Sequence, residues 1–156
     1  APNQVLTNIA PYLLSPVGSA KQEAYLLGVM SSLPFDWYAR KFIETAVNFH
    51  LLNAFPIPSG VPAGLEARIV EVSGILASVD HRFEAWAKEV GVDVASVTST
   101  MHKSELIGEL DGLVAAAYGL SMSDLEHIFT TFHRGWSDPT RLRQAQEALQ
   151  NWGEAQ

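Results

Sequence analysis

Between Tyr25 and Pro58 the chain changes backbone habit twice, and prolines stand at its main breaks. Tyr25, Leu26, Val29, Met30 and Leu33 recur at three- and four-residue spacings, the pattern of a helix with one buried stripe. Gly28 within it is small enough to let a neighbouring element approach. Pro34 suits the first turn of a second helix, where its missing N–H would have had no partner. There Phe35, Tyr38, Ala39, Phe42 and Ile43 make the inner face, with Asp36, Arg40, Lys41 and Glu44 on the other. From Asn48 to Phe55 the period shortens, Phe49 and Leu51 alternating with His50 and Leu52, and Pro56 and Pro58 forbid further helix. The stretch predicts helix, helix, short strand.

Upstream, Gln4 to Leu14 alternates weakly and reads as a strand broken at Pro11, with a turn at Ser15 to Ser19 before the first helix. Downstream, Ser59 to Gly64 is a second cluster of small and φ-restricted residues and the best internal boundary. Leu65, Ile69, Val72, Leu76 and Val79 put a narrow stripe along a helix, and Asp80 caps another with Phe83, Trp86, Ala87 and Val90 inward until Gly91. Residues 92–101 read as a loop. His102 to Tyr118 is the strongest helix, lined by Leu106, Leu110, Leu113, Val114 and Ala117, with Glu105, Glu109 and Asp111 facing away and Gly119 at its end. Ser121 or Ser123 starts a helix with Leu125, Ile128, Phe129 and Phe132 inward. Asp138 and Pro139 start a last one carrying Leu142, Ala145, Leu149 and Trp152. The expected fold is mainly α, a short-helix bundle with a small β element in the first 60 residues. Residues 1–58 and 65–156 are expected as its two parts, with one compact domain as the alternative.

With 156 residues, 47% of them hydrophobic, the chain can bury a core without a staple, and it has no cysteine to make one. No apolar run is long enough to span a bilayer and no signal-peptide pattern opens the chain, so a soluble, cytoplasmic protein with no membrane partner is expected. The net charge of −7 argues against a general nucleic-acid binder, yet it is unevenly spread. Residues 61–130 hold four basic against eleven acidic residues, while 1–60 and 131–156 are each balanced. Phosphates would be repelled by the middle and tolerated at the flanks.

Catalytic signatures are missing. There is no Asn-Pro-Pro-Tyr type motif to hold a flipped adenine, no Gly-rich strand-to-helix turn for S-adenosylmethionine, no P-loop and no Gly-x-Ser-x-Gly elbow. His50, His81, His102, His127 and His133 lack metal-ligand spacing, so no metal is expected. Glu105 and Asp111 could in principle act as an acid–base pair, but carboxylates on the back of a helix usually only meet water. Trp37, Tyr38 and Phe42 read as core in preference to a platform for stacked bases. Arg40 and Lys41 can hold a phosphate or pair with Asp36 and Glu44 at helix-neighbour spacing. Asn8, Asn48, His50 and Asn53 carry groups able to read base edges, though asparagine serves turns equally well.

The run LLGVMSSLPFDWYARKFIETAVNFHLLNAFPIP resembles the C-terminal recognition half of large Type II-like restriction-modification enzymes, which fuse an adenine-specific DNA methyltransferase to a target-recognition domain. Leu26, Ser32, Asp36, Trp37, Arg40, Phe42, Asn48, Phe49, Pro56 and Pro58 carry the likeness. Asn8 to Leu14 and Glu105 to Trp136 are similar to stretches before and after it, in the same order. The resemblance implies a C-terminal fragment that recognises DNA and is not itself an enzyme. It implies duplex DNA and the methyltransferase domain of the parent chain as partners. S-adenosylmethionine is implied for the parent and no cofactor for the fragment. A helical scaffold or subunit-contact module that never touches DNA is the alternative.

Overall fold

The computed structural model describes residues 18–43, 47 and 49–153. The proposed strand in Gln4 to Leu14 falls outside them. The chain forms α1 (Ala20–Ser31), α2 (Leu33–Ala39), α3 (Phe49–Ala54), α4 (Ala63–Ala77), α5 (Glu84–Val90), α6 (Thr100–Ala117), α7 (Met122–Thr131) and α8 (Pro139–Gly153), with a single 3-10 turn at His81–Phe83. No strand occurs among the described residues. No helix among them is long and apolar enough to cross a membrane.

Side-chain caps start most of the helices. Ser19 and Gln22 close a capping box on α1, Ser32 caps α2 ahead of Pro34, Ser99 caps α6, and Ser121 with Asp124 boxes α7. Ser121 is thus the start that the sequence left open between two serines. Asp138 accepts from the Arg141 amide at 3.0 Å in the first turn of α8. Asp80 caps the 3-10 turn and also holds the Arg82 guanidinium, which keeps its carboxyl down at about 2.

Of the expected strand from Asn48 to Phe55, Phe49–Ala54 is instead helical. Leu51 and Leu52 are adjacent, and a strand would send them to opposite faces. A helix turns them only about 100° apart, so both can pack on the core while His50 and Asn53 stay exposed. Pro56 and Pro58 do end it. Their carbonyls are used: Tyr118 donates to Pro56 O at 2.7 Å and Tyr25 to Pro58 O at 3.0 Å. Burial, then the neighbouring Tyr25 and Tyr38, pushes the Tyr118 phenol up to about 12.

The main core draws on α1, α2, α4, α6, α7 and α8, with Val29, Leu33, Phe35, Leu65, Ile69, Val72, Leu113, Leu125 and Leu149 among its buried residues. It therefore runs on both sides of the Ser59 to Gly64 breaker. A smaller cluster of Ala20, Ala24, Val70 and Val90, covered by Trp86, ties α5 to α1 and α4. Phe83, expected inside, is exposed, and Val79 lies beyond the end of α4 in solvent.

Two close crossings depend on glycine. Gly28 of α1 faces Ser73 of α4, whose hydroxyl would collide with an added Cβ. Gly112 of α6 lies on the Ala145 carbonyl of α8, and a Cβ there would also come 2.7 Å from Ala148 Cβ. The neighbour at Gly112 is backbone and cannot swing aside. Replacing Gly112 with alanine should therefore destabilise the chain by about 1–3 kcal/mol despite the better helix propensity of alanine. Denaturant titration should show a lower midpoint with an unchanged slope, and a midpoint at or above that of the unsubstituted chain would mean that α6 and α8 do not cross there.

Candidate nucleic-acid interface

Helix α2 carries the leading candidates, and three contacts fix its position. At its start the Leu33 amide donates to Asp111 Oδ1 of α6 at 2.8 Å. Asp111 also accepts from Arg141 of α8, Nε to Oδ2 at 2.6 Å and a terminal guanidinium nitrogen to Oδ1 at 3.1 Å. Near its end Trp37 Nε1 donates to Thr131 Oγ1 of α7 at 2.9 Å, and the Arg40 guanidinium lies 4.6 Å from the centre of the Phe132 ring.

Asp111, expected on the solvated back of its helix, is 1% exposed. Nearly every side of α6 from Leu110 to Ala116 is covered, so no solvated back remains there. Glu109 is likewise partly buried and takes a two-pronged bond from Arg68 of α4 at 2.7 and 2.9 Å, whereas Glu105 is exposed. An acid–base pair of Glu105 and Asp111 is thereby excluded, since Asp111 is consumed by its donors and sealed from substrate. Burial pushes the Asp111 carboxyl above its ordinary range, while Arg141 and the Leu33 amide act in the opposite direction.

Around the end of α2 the side chains divide into three sectors. Asp36 holds Arg40 through two 3.0 Å bonds, four residues apart on the exposed surface. Lys41 Nζ sits 4.2 Å from the centre of the Trp37 ring, which His127 of α7 meets edge-on at 5.9 Å. Tyr38 and Phe42 lie toward Phe55, 37% and 49% exposed. They were expected on the inner face. Phe35 and Ala39 occupy that face instead, and Phe35 meets Phe55 edge-on beneath the surface pair.

His50 and Asn53, three residues apart on α3, share one exposed helical face. Asn8 and Asn48 lie outside the described residues. The α2–α7 contact adds residues that sequence reasoning did not single out: exposed His133 and Arg134 follow Phe132, the residue under Arg40. Only their place in a charge-balanced flank pointed to them. Arg40 of the first flank thus lies on Phe132 of the last, next in sequence to these two exposed residues. Among the described residues no group of three or more His, Cys, Asp or Glu could hold a metal ion.

Comparison with protein-family models, with curated proteins and with solved structures finds no match.

Removing Arg141 should leave a buried carboxylate with only the Leu33 amide, at a cost of about 3–5 kcal/mol near neutral pH. The folded carboxyl is already raised above its unfolded value of about 3.9, so folding favours the protonated form. That contribution is complete below the unfolded value and is lost as pH rises through the folded one. Without Arg141 the folded value rises further. Chemical denaturation of Arg141→Ala beside the unsubstituted chain should show a deficit that shrinks as pH falls toward about 4. A deficit independent of pH would contradict an ionised Asp111 as its cause.

Proposed function

We propose that the chain is the C-terminal part of the target-recognition region of a restriction-modification adenine-specific DNA methyltransferase, and that it helps seat the parent enzyme on duplex DNA. The observation that carries this is the meeting of α2 with the end of α7. It brings Arg40 onto Phe132, with exposed Lys41 next to Arg40 in sequence and exposed His133 and Arg134 next to Phe132, so basic residues of the two charge-balanced flanks adjoin one contact. A polyanion can approach such a face. The likeness of Leu26 to Pro58 to the recognition half of those enzymes supplies the identity of the polyanion.

In this role the fragment binds and does not catalyse. S-adenosylmethionine and the chemistry belong to the methyltransferase domain of the parent, which is its partner within the same chain. Lys41 is the first choice for a phosphate, because Arg40 is already engaged by Asp36. His50 and Asn53 are the described candidates for base edges. That engagement of Arg40 also favours the second reading, a helical scaffold or subunit-contact module whose surface charges serve only its own helices.

Salt titrations of the parent enzyme on cognate and random duplexes separate the two. Lys41→Ala should weaken both similarly and flatten the slope of log affinity against log salt by about 0.9. Adding Arg40→Ala should take the change to at most roughly two units. Loss of a base-reading His50 or Asn53 should instead erode discrimination by about 1–3 kcal/mol at one base pair and leave the slope nearly untouched. An unchanged slope and affinity in the double variant would favour the scaffold.

A further inference from the structure

Two exposed rings, Tyr38 in α2 and Phe42 in the turn that follows it, form a built surface. Tyr38 and Phe42 lie with ring centres 5.0 Å apart and planes tilted by 53°. Both rest on Phe55, at 6.3 and 6.5 Å, and Phe55 is 9% exposed and braced from below by Phe35. The backbone holds them on one helical turn, with the Lys41 amide bonded to Tyr38 O and the Phe42 amide to Ala39 O, both at 3.0 Å. Lys41, three residues after Tyr38 and next to Phe42, borders the rings with its amine over Trp37, and His50 with Asn53 is exposed on α3, which leads into Phe55.

Rings held on a rigid base, with a lysine bordering them, have the composition of a surface for stacked bases: the ring faces take a base and the lysine takes its phosphate. Fully paired duplex keeps its bases stacked on one another and offers no free face to an aromatic ring. We infer that Tyr38 and Phe42 form a stacking platform for an unpaired base, so that this face prefers DNA carrying an unstacked nucleotide to fully paired duplex. The inference rests on the DNA-recognition reading proposed above and names the form of DNA recognised. An apolar segment of a partner protein would also cover the rings, but it would not require the adjoining lysine.

The test uses the 156-residue chain and fluorescence anisotropy with three labelled hairpins of equal length. One is fully paired, one carries a single bulged adenine and one carries an abasic site in its place, all at about 50 mM salt, where phosphate contacts are strong. The bulged adenine should be bound at least about fivefold more tightly than the abasic bulge, the lower end of what base–aromatic stacking contributes. Phe42→Leu, which keeps an apolar side chain and removes the ring, should erase that difference, while Tyr38→Phe should retain it. Thermal melting of each variant checks that the fold is kept. Equal affinity for all three hairpins, lowered throughout by Lys41→Ala, would overturn the platform and leave DNA recognition standing through phosphates alone. Binding of none of them would overturn the DNA reading itself and assign the rings to a protein partner.

Discussion

A carboxylate cut off from water must find its hydrogen-bond donors inside the protein, and Asp111 finds them on two other helices. The Leu33 amide at the start of α2 supplies one, and the Arg141 guanidinium of α8 supplies two. Desolvating such a pair offsets much of its attraction, so its contribution to net stability is small beside its demand for one geometry. Three helices cannot shift against one another without leaving that charge unsatisfied. The same part of α6 is where Gly112 lets α8 approach to backbone contact.

Helix α2 has only seven residues, too few to hold a direction by its own hydrogen bonds. Asp111 anchors its first residue and Thr131 anchors Trp37 near its last, so the helix is fixed at both ends by side chains of other elements. The cations and rings of its C-terminal turn are presented by packing that lies behind them. The carbonyls of Pro56 and Pro58, held by Tyr118 and Tyr25, do the same for the chain leaving α3 and so for Phe55.

Much of this was legible in the sequence. The starts of α7 and α8 followed from Ser121 and from Asp138 with Pro139, the stripes of α4, α7 and α8 followed from apolar spacing, and Gly28 marks a close approach by its size alone, whereas the Ser99 cap of α6 lies within the expected loop. Asp111 was misread because periodicity assigns a polar residue to solvent whenever a helix is assumed to have a wet side. Gly108, Gly112, Ala115 and Ala116 around it were the available sign that α6 is covered almost all round. The segment Phe49–Ala54 is too short to separate a period of two from one of 3.6. Tyr38 and Phe42 were assigned inward by residue type, whereas Phe35 and Ala39 fill the inner face and leave the larger rings outside. The pairing of Arg40 with Asp36 was anticipated by spacing, but nothing local could indicate that Phe132 would lie beneath it.

The central claim is that a buried, ionised Asp111 organises α2 from its first residue. Amides in the first turn of a helix have no helical acceptor and ordinarily exchange with water freely. Native-state hydrogen exchange followed residue by residue tests the claim directly. The Leu33 amide should open only with the global unfolding that exposes core amides such as that of Leu113. If Leu33 instead exchanged as fast as the first-turn amides of the exposed starts of α6 and α7, Asp111 would not be its acceptor in solution and the lock would not exist.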